Sequence, residues 1–329
     1  MRAARAGGIL DDRMPSSPRV VVVVNPRSQG GALGRRWPEL ADTIRRALPF
    51  EDVMTKEPGD ATRLTAEAVR AGAEIVVAVG GDGTINEVTN GFFDSGVRRN
   101  SDCALAVLPF GTGGDFVRSA NISKDWDKAV ANLARGHRRR VDVGRVDHRV
   151  RTGGDAIRMF LNIGSFGLSG VTDRMVNTSK KRLGGKVSFF LGATRAMFNY
   201  DNQRVRLTFD EKPSDSVDMT ISTVAVANGR YFGGGMFIAP DAKLDDGFFD
   251  VVALGDIGMA AMMLKSRRIY AGTHLTMDKV SHRRAKVVKA EPASPDQIVE
   301  LDIDGETPGV LPATFRVLPA ALDLIAPAP

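Results

Sequence analysis

The sequence predicts an α/β protein with two domains: a doubly wound α/β domain, then a β-rich, mainly antiparallel domain. Three observations support this. Residues 20–24 are five consecutive valines, which is typical of a strand covered on both faces in a parallel sheet. Apolar runs at residues 75–79 and 104–108 alternate with segments of helical periodicity. Beyond residue 140, short strand-like segments separated by Gly, Asp or Pro replace that alternation.

In the first domain, residues 18–140, strand and helix signals alternate. After the valine strand, apolar residues recur at helical spacing from Trp37 to Leu48, and a short strand and a second helix follow. The third strand leads into a glycine loop, and the next helix carries Thr84 and Glu87 at capping-box spacing. We expect the preceding extension, residues 1–17, to be disordered.

The second domain is assigned to residues 141–313, and the final segment, 314–329, is expected to return to the first domain. Two helical stretches are predicted near residues 167–199 and 257–270. The predicted strands are residues 141–147, 157–164, 203–210, 219–227, 248–254, 284–290 and 298–304.

Composition and charge limit the partners and the cellular compartment that this chain is expected to have. The 329 residues carry a formal net charge of +6, and basic pairs such as Arg35-Arg36 suit an anionic partner or remain a solvated face. The single cysteine, Cys103, allows no internal disulfide, so we expect a reducing, cytoplasmic setting. No signal peptide and no transmembrane run is recognised. Aromatic residues make up only 6% and do not interleave with the basic clusters, which disfavours nucleic acid as a partner.

Three loops follow three of the apolar strands: residues 25–31, 80–84 and 110–115. In an open parallel sheet such loops line one crevice at the carboxyl ends of the strands. Glycine lets the backbone approach a phosphate closely, and a helix N-terminus favours an anion. The sequence thus predicts a nucleotide crevice. The Walker pattern is absent, and Asn86 breaks the G-x-G-x-x-G of dinucleotide folds.

The loops resemble the diacylglycerol kinase catalytic-domain family. VGGDGTINEV at residues 79–88, with Asn90-Gly91, resembles the GGDGT-x-NEV-x-NG signature of that family. Its opening motif, its second glycine motif and two late segments are similar to residues 25–28, 108–116, 239–250 and 302–306. Two departures are Gly114, where the family usually has Asn, and Gln29, which lengthens the first loop.

This resemblance implies a nucleotide domain of the NAD kinase and diacylglycerol kinase type, followed by a β-sandwich domain. It also implies ATP as co-substrate. The implied ATP-binding residues are Asn25, Pro26, Arg27, Ser28, Gln29, Thr55, Gly81, Asp82, Gly83, Thr84, Ile85, Asn86, Glu87 and Thr112.

Three acids are candidates for catalysis. Asp82 lies among glycines facing an anionic ligand, where it could engage Mg²⁺ with the phosphates or simply close a turn. The resemblance makes Glu306 the general base that takes the proton from a lipid hydroxyl, with Asp115 as a second carboxylate in the crevice. Without the resemblance, residues 304–306 would be interpreted as a polar turn after a strand.

The resemblance also implies a structural Mg²⁺ site in the second domain, made of the Asp246 carboxylate and the backbone carbonyls of Lys243 and Phe248. A hairpin turn rich in Asp and Gly is the alternative for that segment.

The function that the resemblance implies is phosphorylation of a lipid hydroxyl by ATP, with diacylglycerol as acceptor and phosphatidate as product. The alternatives are another lipid alcohol (a sphingoid base or ceramide), an NAD kinase, or a non-catalytic nucleotide- or lipid-binding module. A lipid acceptor implies peripheral attachment to a membrane, which the basic pairs would favour on anionic lipid. The family also makes a homodimer an expectation.

Overall fold

A computed structural model of the chain describes residues 18–111, 114–171 and 200–327. The elements of the first part are β1 (Val20–Val24), α1 (Ser28–Arg45), β2 (Glu51–Met54), α2 (Asp60–Arg70), β3 (Ile75–Gly80), α3 (Asp82–Gly91), β4 (Phe93–Asp94), β5 (Val97–Arg98), β6 (Ala104–Pro109), α4 (Asp115–Ser119) and α5 (Trp126–Arg135).

The second part is dominated by strands. Its described elements are β7 (Arg138–Arg149), β8 (Asp155–Phe160), β9 (Ile163–Gly167), β10 (Gln203–Phe209), β11 (Ser216–Ala227), β12 (Phe249–Gly255), α6 (Met259–Tyr270), β13 (Val280–Ala285), β14 (Val287–Pro292), β15 (Leu301–Ile303) and β16 (Val310–Ile325). The helical stretch predicted near 167–199 lies largely outside the described residues.

The valine strand β1 is covered on both faces. It pairs in parallel with β2 and β3, and β3 pairs in parallel with β6. Val22 belongs to the apolar cluster that includes Trp37 of α1, whereas Val23 belongs to the cluster that includes Val88 of α3. Alternate side chains of a strand point to opposite faces, so the run of valines supplies both layers. The doubly wound α/β prediction is confirmed.

The last strand, β16, joins the two parts into one continuous sheet. It pairs antiparallel with β7 and β14, and near its end Leu324 and Ile325 pair in parallel with Leu105 and Ala106 of β6. Leu324 is fully buried in the core of the first part. Leu324 and Ile325 therefore lie beside the parallel strands of the first part. The assignment of residues 314–329 as a separate returning segment stays a prediction.

Two segments predicted as single strands are each divided by a carboxylate. Residues 157–164 form β8 and β9, because Asp304 accepts the backbone N–H groups of residues 161–163 between them. Residues 284–290 are shared by β13 and β14, where Asp210 accepts the N–H groups of Lys286 and Val287. A side-chain acceptor satisfies donors that a neighbouring strand would otherwise take.

Within residues 18–111, 114–171 and 200–327, every helix is too short or too polar to span a bilayer.

A hydrogen bond between His282 and the buried carboxylate of Asp250 makes the stability of the second part depend on pH. His282 Nε2 lies 2.7 Å from Oδ1 of Asp250, which is 1% exposed, and this bond raises the pKa of His282. A raised folded-state pKa contributes stability below the unfolded pKa, and that contribution is lost as pH rises through the folded value.

We therefore expect His282→Gln to lower the free energy of unfolding by about 1 kcal/mol at pH 6 and by much less at pH 9. Urea unfolding of wild type and variant at both pH values measures this. An equal loss at the two pH values would show that the imidazolium makes no special contribution.

Candidate active site

The three glycine-bearing loops meet at the carboxyl ends of β1, β3 and β6, beside the loop between β11 and β12. Between them is a crevice of about 660 Å³. Its walls come from both parts of the sheet, so the site needs both to be folded. The lining includes Asn25, Arg27, Ser28, Gln29, Gly81, Asp82, Gly83, Thr84, Ile85, Glu87, Asp115, Asn162, Gly233, Gly234, Asp302, Asp304 and Glu306.

The glycine loop after β3 (residues 80–84) and the one after β6 (residues 110–115) approach each other backbone to backbone. A Cβ added at Gly111 would lie 2.9 Å from the Cα of Gly81, a distance that side chains do not adopt. At Gly80 an added Cβ would lie 2.5 Å from Oγ1 of Thr84, the residue that begins the buried part of α3. Glycine is therefore required here for close approach, and the N-terminus of α3 faces the crevice with its N–H groups available to an anion.

We expect Gly111→Ala to reduce the phosphoryl transfer that the sequence resemblance implies by about a hundredfold, because a methyl group there must push the two loops apart and misplace the reacting groups. Phosphoryl transfer measured in steady state tests this. Gly258→Ala is the matched control, since nothing lies within 4 Å of its added Cβ. A Gly111→Ala enzyme as active as that control would contradict the close-contact argument.

The first loop is held by Asn25. Its Nδ2 donates to Oγ1 of Thr84 at 3.0 Å, and its Oδ1 accepts the N–H of Arg27 at 3.1 Å. Gln29, Gly30 and Gly31 follow with φ of 51°, 64° and 85°, so the regular turns of α1 begin only after them. The lengthening at Gln29 therefore takes the form of a left-handed bend at the mouth of the crevice.

Asp82 and Asp115 each present one carboxylate oxygen without a hydrogen-bond partner. Their other oxygens accept the N–H groups of Gly114 at 2.8 Å and Gly234 at 2.7 Å. The Oδ1 atoms of both residues are buried and unpaired within the described chain. Burial, followed by the nearby charge of Asp82, raises the pKa of Asp115. Two such oxygens beside an anion site fit a divalent cation with oxygen ligands.

Glu306 is presented by a tight turn. Ile303 and Glu306 exchange backbone hydrogen bonds of 2.7 and 3.0 Å, and between them Asp304 and Gly305 have φ of 51° and 86°. Positive φ at both central residues is the type I′ pattern that Asp-Gly favours. The turn places Oε1 of Glu306 only 2.8 Å from the Cβ position of Gly83. The candidate base thus lies against the glycine loop of the first part.

Asp304, which the sequence reasoning did not single out, anchors that turn. Its Oδ1 accepts the N–H groups of Asn162 and Ile163, and its Oδ2 accepts those of Leu161 and of the Asn86 side chain, all at 2.9–3.1 Å. Burial raises the pKa of Asp304, and these four hydrogen bonds oppose the rise. The Asp-Gly dipeptide between two strand signals was the available clue.

Two of the residues implied as ATP ligands, Asn86 and Glu87, make structural contacts, although Glu87 also lines the crevice. The Asn86 side chain is fully buried and bonds Met159 O and Asp304 rather than facing the crevice. Glu87 accepts the N–H groups of Gly59 and Ala61 at the start of α2, so it caps that helix and makes no capping box with Thr84.

The remaining ATP-binding predictions are positioned as follows. Thr55 is buried at the end of β2, where its N–H donates to Val24 O at 2.9 Å. Pro26 lies in the first loop, and its carbonyl accepts the N–H of Gly34. Thr112 lies outside the described residues.

Asp246, predicted as a Mg²⁺ ligand of the second domain with the carbonyls of Lys243 and Phe248, pairs with an arginine in this structure, and the metal site stays a prediction. Oδ2 of Asp246 accepts from the Arg284 guanidinium at 2.5 Å, and Oδ1 accepts the N–H of Phe248 at 3.2 Å. The guanidinium also lies over the Phe248 ring, 4.4 Å from its centroid. Arg284 thus supplies the positive charge at this loop, while Lys243 lies on the same segment. No group of three or more His, Cys, Asp or Glu side chains suited to a metal occurs in the described ranges.

Comparison with known proteins agrees with this arrangement. The diacylglycerol kinase catalytic domain matches residues 19–146, and the YegS C-terminal NAD kinase beta sandwich-like domain matches residues 162–326. A protein of Staphylococcus carnosus named diacylglycerol kinase is 28% identical over 314 residues, covering 94% of this chain and 95% of that protein. A Staphylococcus aureus protein of the same name is 27% identical, covering 94% and 92%.

A crystal structure of a candidate diacylglycerol kinase from Bacillus anthracis str. Sterne has a TM-score of 0.72 at 26% identity. The matched region covers 95% of this chain and 99% of the chain in that crystal structure. Together with these relatives, the site and the fold support a kinase. Its first part has a parallel sheet whose strands end in glycine loops, and its second part is mainly antiparallel. The chain belongs to the diacylglycerol kinase catalytic-domain family, in the form that carries the YegS-type C-terminal domain.

Proposed function

We propose that this protein transfers the γ-phosphoryl group of ATP to the hydroxyl group of a lipid, with diacylglycerol as the acceptor and phosphatidate as the product. The observation that carries the proposal is the junction of three features in one crevice: the glycine loops, the unpaired oxygens of Asp82 and Asp115, and Glu306. Relatives over almost the whole chain bear the name diacylglycerol kinase, which supports this acceptor.

The nucleotide would bind along the first part of the chain. Backbone N–H groups at the start of α3 would hold phosphate oxygens, with Thr84 and the loop around Arg27 and Ser28 beside them. Mg²⁺ held by Asp82 and Asp115 would neutralise charge on the transferring group. Such contacts would direct the γ-phosphorus towards the second part, where Glu306 lies.

The acceptor hydroxyl would enter from the opposite wall, near Asn162 and residues 232–234. Its oxygen forms a bond to the γ-phosphorus as the bond from that phosphorus to the β,γ-bridging oxygen breaks, and ADP leaves. Glu306 takes the hydroxyl proton, which makes the attacking oxygen a better nucleophile. A lipid acceptor further implies that the enzyme works at a membrane surface from the cytoplasmic side. The proposed reaction does not involve nucleic acid.

The test is transfer of radiolabelled γ-phosphate to an acceptor panel: diacylglycerol, monoacylglycerol, ceramide and sphingosine in mixed micelles, and NAD in solution. Asp82→Asn serves as the control, since it removes a charge that the phosphates and Mg²⁺ need. We expect labelled phosphatidate from wild type only. Phosphorylation of sphingosine or ceramide would show that the acceptor is a different lipid, and labelled NADP would show that the acceptor is not a lipid. If no acceptor were labelled, the result would count against catalysis.

A further inference from the structure

Helix α6 (Met259–Tyr270) exposes most of its surface. Among its twelve residues only Ile269 is buried. Leu264 is 84% exposed, the highest value among the large apolar side chains of the described chain, and Met263 and Tyr270 are 56% and 53% exposed. Large apolar side chains at this exposure are costly in water, and several on one short helix indicate an interaction surface.

The exposed side of α6 is also basic. Met263, Arg267 and Tyr270 follow at i, i+4 and i+7, so they share one face, with Leu264 beside it. Arg268 follows Leu264 at i+4 and flanks this face, whereas Lys265 is exposed on the other side of the helix, beside the buried Ile269. The helix contains no acidic residue. The nearest acids along the chain are Asp256, which pairs with Lys279, and Asp278. Apolar residues mixed with cations, without acids, are typical of helices that lie in the interface of an anionic bilayer.

The helix stands next to the acceptor side of the crevice. The turn after α6 packs on residues 237–240: Gly272 lies against Phe237, and Nε2 of His274 lies 2.9 Å from Ile238 O. The Phe237 ring stacks on Tyr231 with centroids 4.6 Å apart. Tyr231 begins the hairpin whose Gly234 N–H bonds Asp115. One layer of packed side chains thus connects α6 with the crevice wall.

More positive charge lies along the same connection. The guanidinium of Arg118 lies 5.0 Å from the centroid of the Tyr231 ring, and that of Arg230 lies 5.9 Å from it. A bilayer that received the exposed side of α6 would therefore meet further cations towards the mouth of the crevice. This charge favours an anionic lipid surface over a second, equally basic copy of the chain as the occupant.

We propose that α6 docks the enzyme on an anionic lipid bilayer, with Met263, Leu264 and Tyr270 inserted at the interface and Arg267 and Arg268 at the headgroups. The proposal rests on the proposed function only in giving the docking a purpose: it would present the acceptor-side wall to membrane lipids. The binding itself requires no catalysis.

The experiment is co-sedimentation of the full chain with vesicles of phosphatidylcholine alone or mixed with phosphatidylglycerol. Leu264→Asp removes an apolar anchor, and the double variant Arg267→Gln/Arg268→Gln removes two charges. Val97→Asp is the matched control, because Val97 is 69% exposed but lies on the β4–β5 hairpin. Thermal unfolding shows that each variant keeps its fold.

We expect Leu264→Asp to weaken binding to the mixed vesicles by at least about tenfold. The double variant should lose about thirtyfold on mixed vesicles, as raised salt would also cause, with no loss on phosphatidylcholine. Val97→Asp should bind as wild type. Transfer to a water-soluble short-chain diacylglycerol should be unchanged in all three, so failed docking is distinguishable from failed catalysis.

Two outcomes would overturn the proposal. One is vesicle binding by Leu264→Asp and the double variant equal to that of wild type. The other is light scattering that shows a wild-type dimer and a Leu264→Asp monomer, which would assign the face to a second copy of the chain.

Discussion

Glu306→Gln is expected to lower kcat by about a hundredfold to ten-thousandfold with little change in the KM for ATP. A positioned base contributes a factor of this size when it accepts a proton in the transition state, and glutamine cannot accept it. Because Glu306 is an exposed residue at a turn that Asp304 and the backbone hold, the fold should survive the change. Steady-state transfer to the preferred acceptor measures both constants.

Two comparisons distinguish a catalytic role of Glu306 as the base from a purely structural role. Glu306→Asp keeps a carboxylate on a shorter side chain, so it should retain more activity than Glu306→Gln if the carboxylate accepts the proton. Glu67→Gln changes an exposed glutamate of α2 that pairs only with Arg63 at the surface, so it should be as active as wild type. Equal activity in Glu306→Gln and Glu67→Gln would remove Glu306 from the mechanism.

The parallel sheet could be predicted because its signals are local. Five successive valines supply both faces of β1, and a glycine loop follows β3 where the crevice needs close approach. The strands of the second part were less clear. The breaks between β8 and β9 and between β13 and β14 are made by Asp304 and Asp210, which are distant in sequence, and strand periodicity does not show where a remote carboxylate will take backbone donors.

The residues of the site divide in the same way. Asp82, Asp115 and Glu306 line one crevice, and they were named because their motifs resemble a family, not because spacing brought them together. Asn86 and Glu87 belong to the same motif and make structural contacts: Asn86 bonds across the junction of the two parts, and Glu87, at the crevice wall, also caps α2. A motif indicates that residues matter together without telling which of them face the ligand.

The role of Asn86 leads to the largest expected effect on stability, that of Asp304→Asn. In wild type both oxygens of Asp304 accept two hydrogen bonds each, three from backbone N–H groups and one from Asn86. Asparagine replaces one oxygen with a donor, which would face two other donors. Buried groups left unsatisfied cost about 1–3 kcal/mol each, so we expect a loss of about 2–4 kcal/mol in the free energy of unfolding.

The same substitution should impair catalysis beyond its effect on folding, because Asp304 positions the turn that presents Glu306 against Gly83. At a temperature where the variant is fully folded, kcat should fall by about tenfold or more, while ATP binding on the first part remains near wild type. Asp278→Asn, at an exposed aspartate after α6, should change neither quantity. Urea unfolding and single-turnover transfer provide the measurements. If Asp304→Asn were destabilised yet fully active, Asp304 would be a structural anchor only, and Glu306 would reach its place without it.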